Sequence, residues 1–150
     1  MRNKILAALL VCASIPALAV NSSISKSASP GTVTVTSSGR TTSSFFGILN
    51  GDFASGTYNK PKKLTGITWT STSYPTVTTE TVSLCYFTPY NLTSPAMCIP
   101  IQANASGSTT QFNNLQFGAG AQISIRHDLS APTQVATPAG RDSIVVNYSY

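Results

Sequence analysis

The chain has 150 residues, nine Lys/Arg against four Asp/Glu, one His and a formal net charge of +5. Charged residues make up only 9% of it, with Ser, Thr, Asn and Gly in their place, and the cationic residues do not gather into the basic, aromatic-laced face that a nucleic acid needs. The length is that of one domain, and beyond the first twenty or so residues no apolar run is long enough to span a bilayer.

The first residues carry an export pattern. Met1-Arg-Asn-Lys4 is a short basic segment, Ile5 to Ile15 is apolar, and Ala17-Leu-Ala19 is a small-x-small cleavage signal. These features predict a signal peptide of the bacterial type over 1–19, cleaved after Ala19. Its loss removes Arg2, Lys4 and Cys12, leaving seven Lys/Arg against Asp52, Glu80, Asp128 and Asp142, a net charge of about +3. Lys60, Lys62 and Lys63 are the densest basic group and read as a solvated turn.

Val20 to Ser44 is a Ser/Thr-rich segment, with Pro30-Gly31 as a turn signal and Thr32–Thr36 as a short strand carrying Val33 and Val35 on one face. Phe45, Phe46, Ile48 and Leu49 predict a buried strand ahead of an Asn50-Gly-Asp52 turn. Ile67 and Trp69 share one face of a strand over 64–71. The next pair is 80–88 with 97–103. Val82, Leu84 and Tyr86 line one face of the first, and Met97, Ile99 and Ile101 one face of the second. Antiparallel pairing of these rows puts Cys85 and Cys98 together on the other side. Two cysteines in an exported chain read as a disulfide, closing a short loop at about 3 kcal/mol in the chain-entropy account. The stapled tip is Pro89–Pro95, and 104–110 is a polar turn.

Ile123, Ile125, His127 and Leu129 alternate along a further strand, 131–140 is a loop, and Asp142, Ile144, Val146, Tyr148 and Tyr150 line one face of the last strand. Short strands at this spacing, with no helical periodicity after the signal, predict an all-β fold, a single immunoglobulin-like two-sheet sandwich over 45–150. A small barrel is the alternative architecture. Residues 20–44 form a separate N-terminal segment in this reading.

Candidate chemistry is sparse. His127 beside Asp128, among many serines, is formally a Ser-His-Asp set, but His127 sits in an apolar row, where a packed, hydrogen-bonded histidine is the simpler expectation, and no serine lies in a Gly-x-Ser-x-Gly turn. No two of the four carboxylates are paired as an acid and a base would be, and Asp128 is expected to pair with Arg126. One His and a bridged cysteine pair cannot build a zinc site, which leaves Asp52 or Asp142 as weak calcium candidates. No cofactor is expected. Trp69, Tyr74, Phe87 and Tyr90 are candidate sugar-stacking aromatics. Trp69 is assigned to the core, and Tyr90, with Asn91, is the preferred binding tip because rigid loop ends are where sites are usually placed. Asn91-Leu-Thr93 and Asn104-Ala-Ser106 match the glycosylation acceptor pattern.

The signal peptide, the Ser/Thr-rich segment, the all-β body and a last strand that follows Gly140 and carries Ile144, Val146, Tyr148 and Tyr150 together resemble bacterial chaperone–usher pilins, including the branch related to spore coat protein U. The resemblance is confined mainly to the last 30 or so residues. It implies a non-enzymatic subunit of a surface fibre or fimbrium, with the last strand as the assembly strand gripped by a periplasmic chaperone and passed to an usher. It also implies an N-terminal donor strand, for which Val33 and Val35 are the candidates, and a host or surface glycan or protein as ligand. The mid-chain position of both cysteines departs from the family pattern. A self-contained secreted or periplasmic binding module for a glycan or protein is the alternative, and an exported hydrolase the third.

Overall fold

The computed structural model describes residues 19–150. The signal peptide expected over 1–19 therefore lies, but for its last residue, outside the described residues. Ten strands follow in order: β1 Asn21–Ala28, β2 Val33–Val35, β3 Arg40–Gly47, β4 Lys63–Thr70, β5 Thr79–Phe87, β6 Met97–Ile101, β7 Ser106–Thr109, β8 Gln122–Ser130, β9 Gln134–Ala136 and β10 Asp142–Ser149. Among the described residues the single helical element is a 3-10 turn at Asn50–Asp52. One sheet has the order β1-β10-β4-β7, the second β3-β8-β5-β6, and β2 pairs with β9 in a small ribbon. Every pairing is antiparallel. The fold is all-β and sandwich-like.

Alternation builds the core. From the first sheet Ile24, Ile67, Trp69, Ile144, Val146 and Tyr148 meet Phe46, Val82, Leu84, Tyr86, Ile123 and Ile125 of the second in one buried cluster. Removal of such side chains from water is the main term that holds two sheets together, at about 1.5–3 kcal/mol for each large side chain. Phe53, Phe112 and Phe117, all in connections, join the same cluster. Phe53 and Tyr148 meet edge to face at 5.2 Å. A second, smaller cluster of Val35, Tyr74, Leu129, Ala131 and Ala136 lies with the β2–β9 ribbon.

The β5–β6 register is the expected one: Val82 faces Ile101, Leu84 faces Ile99, Tyr86 faces Met97, and Cys85 faces Cys98 across a disulfide bond. Three expectations need correction. The boundary between a 20–44 segment and a 45–150 sandwich has no counterpart, because β1 runs beside β10 over eight residue pairs and β3 crosses position 44. The sequence of β1 hides this, since Ile24 is its one fully buried residue and the rest is held by backbone pairing. The polar turn at 104–110 contains edge strand β7, with Gly107 beneath the Trp69 indole. A Cβ at Gly107 would lie 2.6 Å from that ring. The loop at 131–140 contains β9.

Candidate functional site

The expected assembly strand lies inside the first sheet. β10 has β1 on one edge and β4 on the other. Ile144, Val146 and Tyr148 point into the core and are shielded from solvent. The Tyr148 hydroxyl accepts a hydrogen bond from the Ala54 N–H at 3.1 Å. Tyr150 is half-buried, exchanges both backbone hydrogen bonds with Val20, and has the Lys60 ammonium 5.2 Å from its ring. The candidate donor residues Val33 and Val35 belong to β2 and pair with Ala136 and Gln134 of β9, and Val35 is buried in the smaller cluster. Both candidate assembly segments are thus paired within the chain.

The tip at Pro89–Pro95 is displayed above the disulfide. Tyr90 is 88% exposed and Leu92 53%. Tyr90 adopts a left-handed backbone, φ 62°, which disfavours most side chains. Its N–H donates to the Gly120 carbonyl and its ring lies over Gly120, where a Cβ would come within 2.9 Å of it. Gly120, itself at φ +85°, is therefore required twice over. Asn91 donates its N–H to the Thr88 carbonyl and is exposed. Tyr74 and Phe87, the other sugar-stacking candidates, are buried and unavailable for stacking, and Trp69 packs in the core as expected. On the first sheet a shallow groove of about 620 Å³ is lined by neutral hydrogen-bonding side chains, among them Thr65, Thr68, Ser108, Gln111 and Asn147.

A buried polar cluster lies between the two apolar clusters. His127 on β8 follows Ile123 and Ile125 of the larger and precedes Leu129 of the smaller. Its Nδ1 is 2.7 Å from Glu80 Oε1 on β5, and its Nε2 is 3.1 Å from Asp142 Oδ2 at the start of β10. Asp142 also accepts from the Ser44 hydroxyl at 2.7 Å and from the Thr72 N–H at 2.7 Å, while Glu80 accepts from the Tyr74 N–H at 2.9 Å. His127 and Asp142 are both fully shielded. Burial by itself would push the imidazole pKa down, but the hydrogen bonds and charges of Asp142 and Glu80 outweigh it and hold the ring above its ordinary 6.5.

The cluster brings Glu80 and Asp142 to one imidazole without pairing them as an acid and a base would be. The signal that could have found it is the presence of His127 and Asp142 within rows otherwise apolar: charged groups on an inward face must find each other. It does not reproduce a nucleophilic triad. Ser44 bonds to the aspartate rather than to the imidazole, and Ser44, His127 and Asp142 lie out of reach of solvent. Asp128 instead pairs with Arg126 at 2.8 Å, as expected. Among the described residues no grouping of three or more His, Cys, Asp or Glu is arranged to hold a metal ion. Of the two calcium candidates, Asp142 has its oxygens engaged as above and Asp52 pairs with Lys26 at 2.8 Å.

No protein-family model matches the chain, and no curated protein matches it. Among solved structures it is similar to the crystal structure of FLHE, with a TM-score of 0.54 and 16% identity over 85% of this chain and 96% of that one. At that identity the likeness concerns the fold alone.

Proposed function

We propose that this chain is a non-enzymatic, self-contained β-sandwich binding module, exported to the periplasm or beyond, which presents the stapled Tyr90–Asn91 tip to a glycan or protein. The observation that carries the reading is that β10 has strands of its own chain on both edges, so the sandwich needs no strand from elsewhere. The Cys85–Cys98 bridge agrees with an oxidising compartment, and the signal-peptide pattern over 1–19 agrees with export. Deleting residues 20–28 would unpair one edge of β10. The module reading expects the deleted protein to self-associate, and a 20–28 peptide added in trans to restore the monomer. A deleted protein that stayed monomeric and folded would remove the basis of the reading. For the tip, Tyr90→Ala should abolish binding to the glycan or protein surface that retains the parent, with no loss of stability. Unchanged retention would discard the tip as the site.

A second reading, the pilin-like surface subunit, is favoured by β1 itself, an edge strand near the N-terminus that fully buries only Ile24. Exchange of β1 between copies would use pairing already present at β10. In that reading the partners are a periplasmic chaperone, an usher and further copies of the chain, and the location is a surface fimbrium. Fibres whose growth requires residues 20–28 would decide for it.

A further inference from the structure

We propose that Glu80, His127 and Asp142 form a proton-dependent latch between the two sheets, closed by an imidazolium at neutral pH and loosened when alkali removes its proton. The geometry of the ring carries this. Both nitrogens face carboxylate oxygens, at 2.7 and 3.1 Å. A neutral imidazole has one N–H and one lone pair, so it could satisfy one of these contacts and would set its lone pair against the other oxygen. The remaining partners are donors: the Ser44 hydroxyl and the Thr72 N–H to Asp142, and the Tyr74 N–H to Glu80. Each carboxyl group thus accepts from every other partner it has, and the contacts left over at the ring, one from each nitrogen, are filled together only when both nitrogens carry a proton.

The groups that face the ring come from every element around it. Glu80 approaches from β5 and Asp142 from β10. Thr42 is its neighbour in the β3 register and Ser44 lies two residues on. Tyr74, from the β4–β5 connection, lies edge-on with ring centroids 5.6 Å apart. Burial raises the Tyr74 phenol above its ordinary value, so it remains neutral through the range that matters. Arg126 and Asp128, on either side along β8, are turned to the other face and pair with each other. Among the described residues no Lys or Arg forms an ion pair with Glu80 or Asp142.

The latch fastens one end of the sandwich. His127 and Glu80 belong to the second sheet, and Asp142 to the first, paired with Ala28 at the end of β1. The Asp142 carbonyl accepts from the Ser27 hydroxyl, and the Tyr74 hydroxyl donates to the Gly31 carbonyl at 2.5 Å. The residues that hold the carboxylates thus also hold the turn by which β1 leaves for the ribbon. With a folded-state pKa above 6.5, the stabilisation is complete below the unfolded value of about 6.5 and is lost as pH rises through the folded value. Within that window the folded-to-unfolded ratio falls by up to about tenfold per pH unit.

The test uses the protein with its disulfide intact. The chain has one histidine, so an NMR titration of imidazole signals reports it without ambiguity. The proposal expects both ring nitrogens protonated at neutral pH, a midpoint above 6.5, and a urea midpoint that declines over the same range. Amide exchange, corrected for pH, should rise there first in residues 26–28 and 142–144. Glu80→Gln removes one carboxylate while keeping the side chain's shape, and should move the imidazole midpoint down and flatten the decline. A ring that is neutral at pH 7, or that titrates below 6.5, would overturn the latch, as would a urea midpoint indifferent to the imidazole titration. Should Glu80→Gln not fold, the titration of the parent protein decides alone.

Discussion

Replacing Tyr148 by Phe, and separately by Ala, divides the contribution of β10 into two parts. Tyr148 is fully shielded, its ring meets Phe53 at 5.2 Å and Phe117 at 5.9 Å, and its hydroxyl accepts the Ala54 N–H. Phe keeps the ring and leaves that N–H without its acceptor. The cost of an unsatisfied buried donor is about 1–3 kcal/mol, and Ala54 is only half-buried, so a value near the lower end, about 1 kcal/mol, is expected. Ala removes the whole ring, at about 3–5 kcal/mol for a large aromatic in a core that cannot collapse around the gap. That is a large share of the 5–15 kcal/mol or so that holds a domain folded. Trp69 is the single tryptophan and is 9% exposed, so its fluorescence reports unfolding from inside the same cluster. Urea curves should shift in midpoint and keep their slope, since the exposed area on unfolding hardly changes. If Tyr148→Ala cost less than about 1 kcal/mol, the inward face of β10 would not be packed as described.

Three further outcomes are expected. Joint replacement of Cys85 and Cys98 by Ser should lower stability by about 3 kcal/mol in the chain-entropy account while leaving the far-ultraviolet circular dichroism unchanged, because Leu84–Ile99 and Val82–Ile101 pairing sets the register without the bridge. Lys26→Met should reduce acid stability: burial would raise the Asp52 pKa, but the Lys26 hydrogen bond, the Leu49 N–H and the Lys26 charge together hold it below 3.8. The stabilisation is therefore present above the ordinary carboxylate value and lost as pH falls through the depressed one, and acid unfolding of the variant should begin at higher pH than in the parent. Gly107→Ala should displace the Trp69 indole, seen as a change in its emission, at about 1–3 kcal/mol for overpacking.

What could be read in the sequence follows from which contacts are local in pattern. β5, β8 and β10 bury an inward face and β6 half-buries Ile99 and Ile101, so alternation marks them, and the apolar rows Val82-Leu84-Tyr86 and Met97-Ile99-Ile101 suffice to register Cys85 against Cys98. β1 carries no such pattern because an edge strand can be held by backbone hydrogen bonds while its side chains stay polar: in Asn-Ser-Ser-Ile-Ser-Lys-Ser-Ala only Ile24 is buried. β7 and β9, four and three residues long, carry no apolar row at all. Tyr74 sits in a Ser/Thr/Pro-rich connection without periodicity, and its burial beside the ribbon depends on where β2 and β9 lie. The polar cluster was half legible. His127 and Asp142 stood out within apolar rows, but Glu80, 47 positions before His127, joins them only through the pairing of β5 with β8.

The account rests on a sandwich completed by its own β1, and the most direct measurement is the state of association of the oxidised protein after refolding from urea without any partner. Sedimentation velocity across the micromolar range should give a single monomeric species with native Trp69 emission. Refolding only with a chaperone, or growth of ordered polymers under these conditions, would contradict it and would move β1 from the chain's own sheet to that of its neighbour.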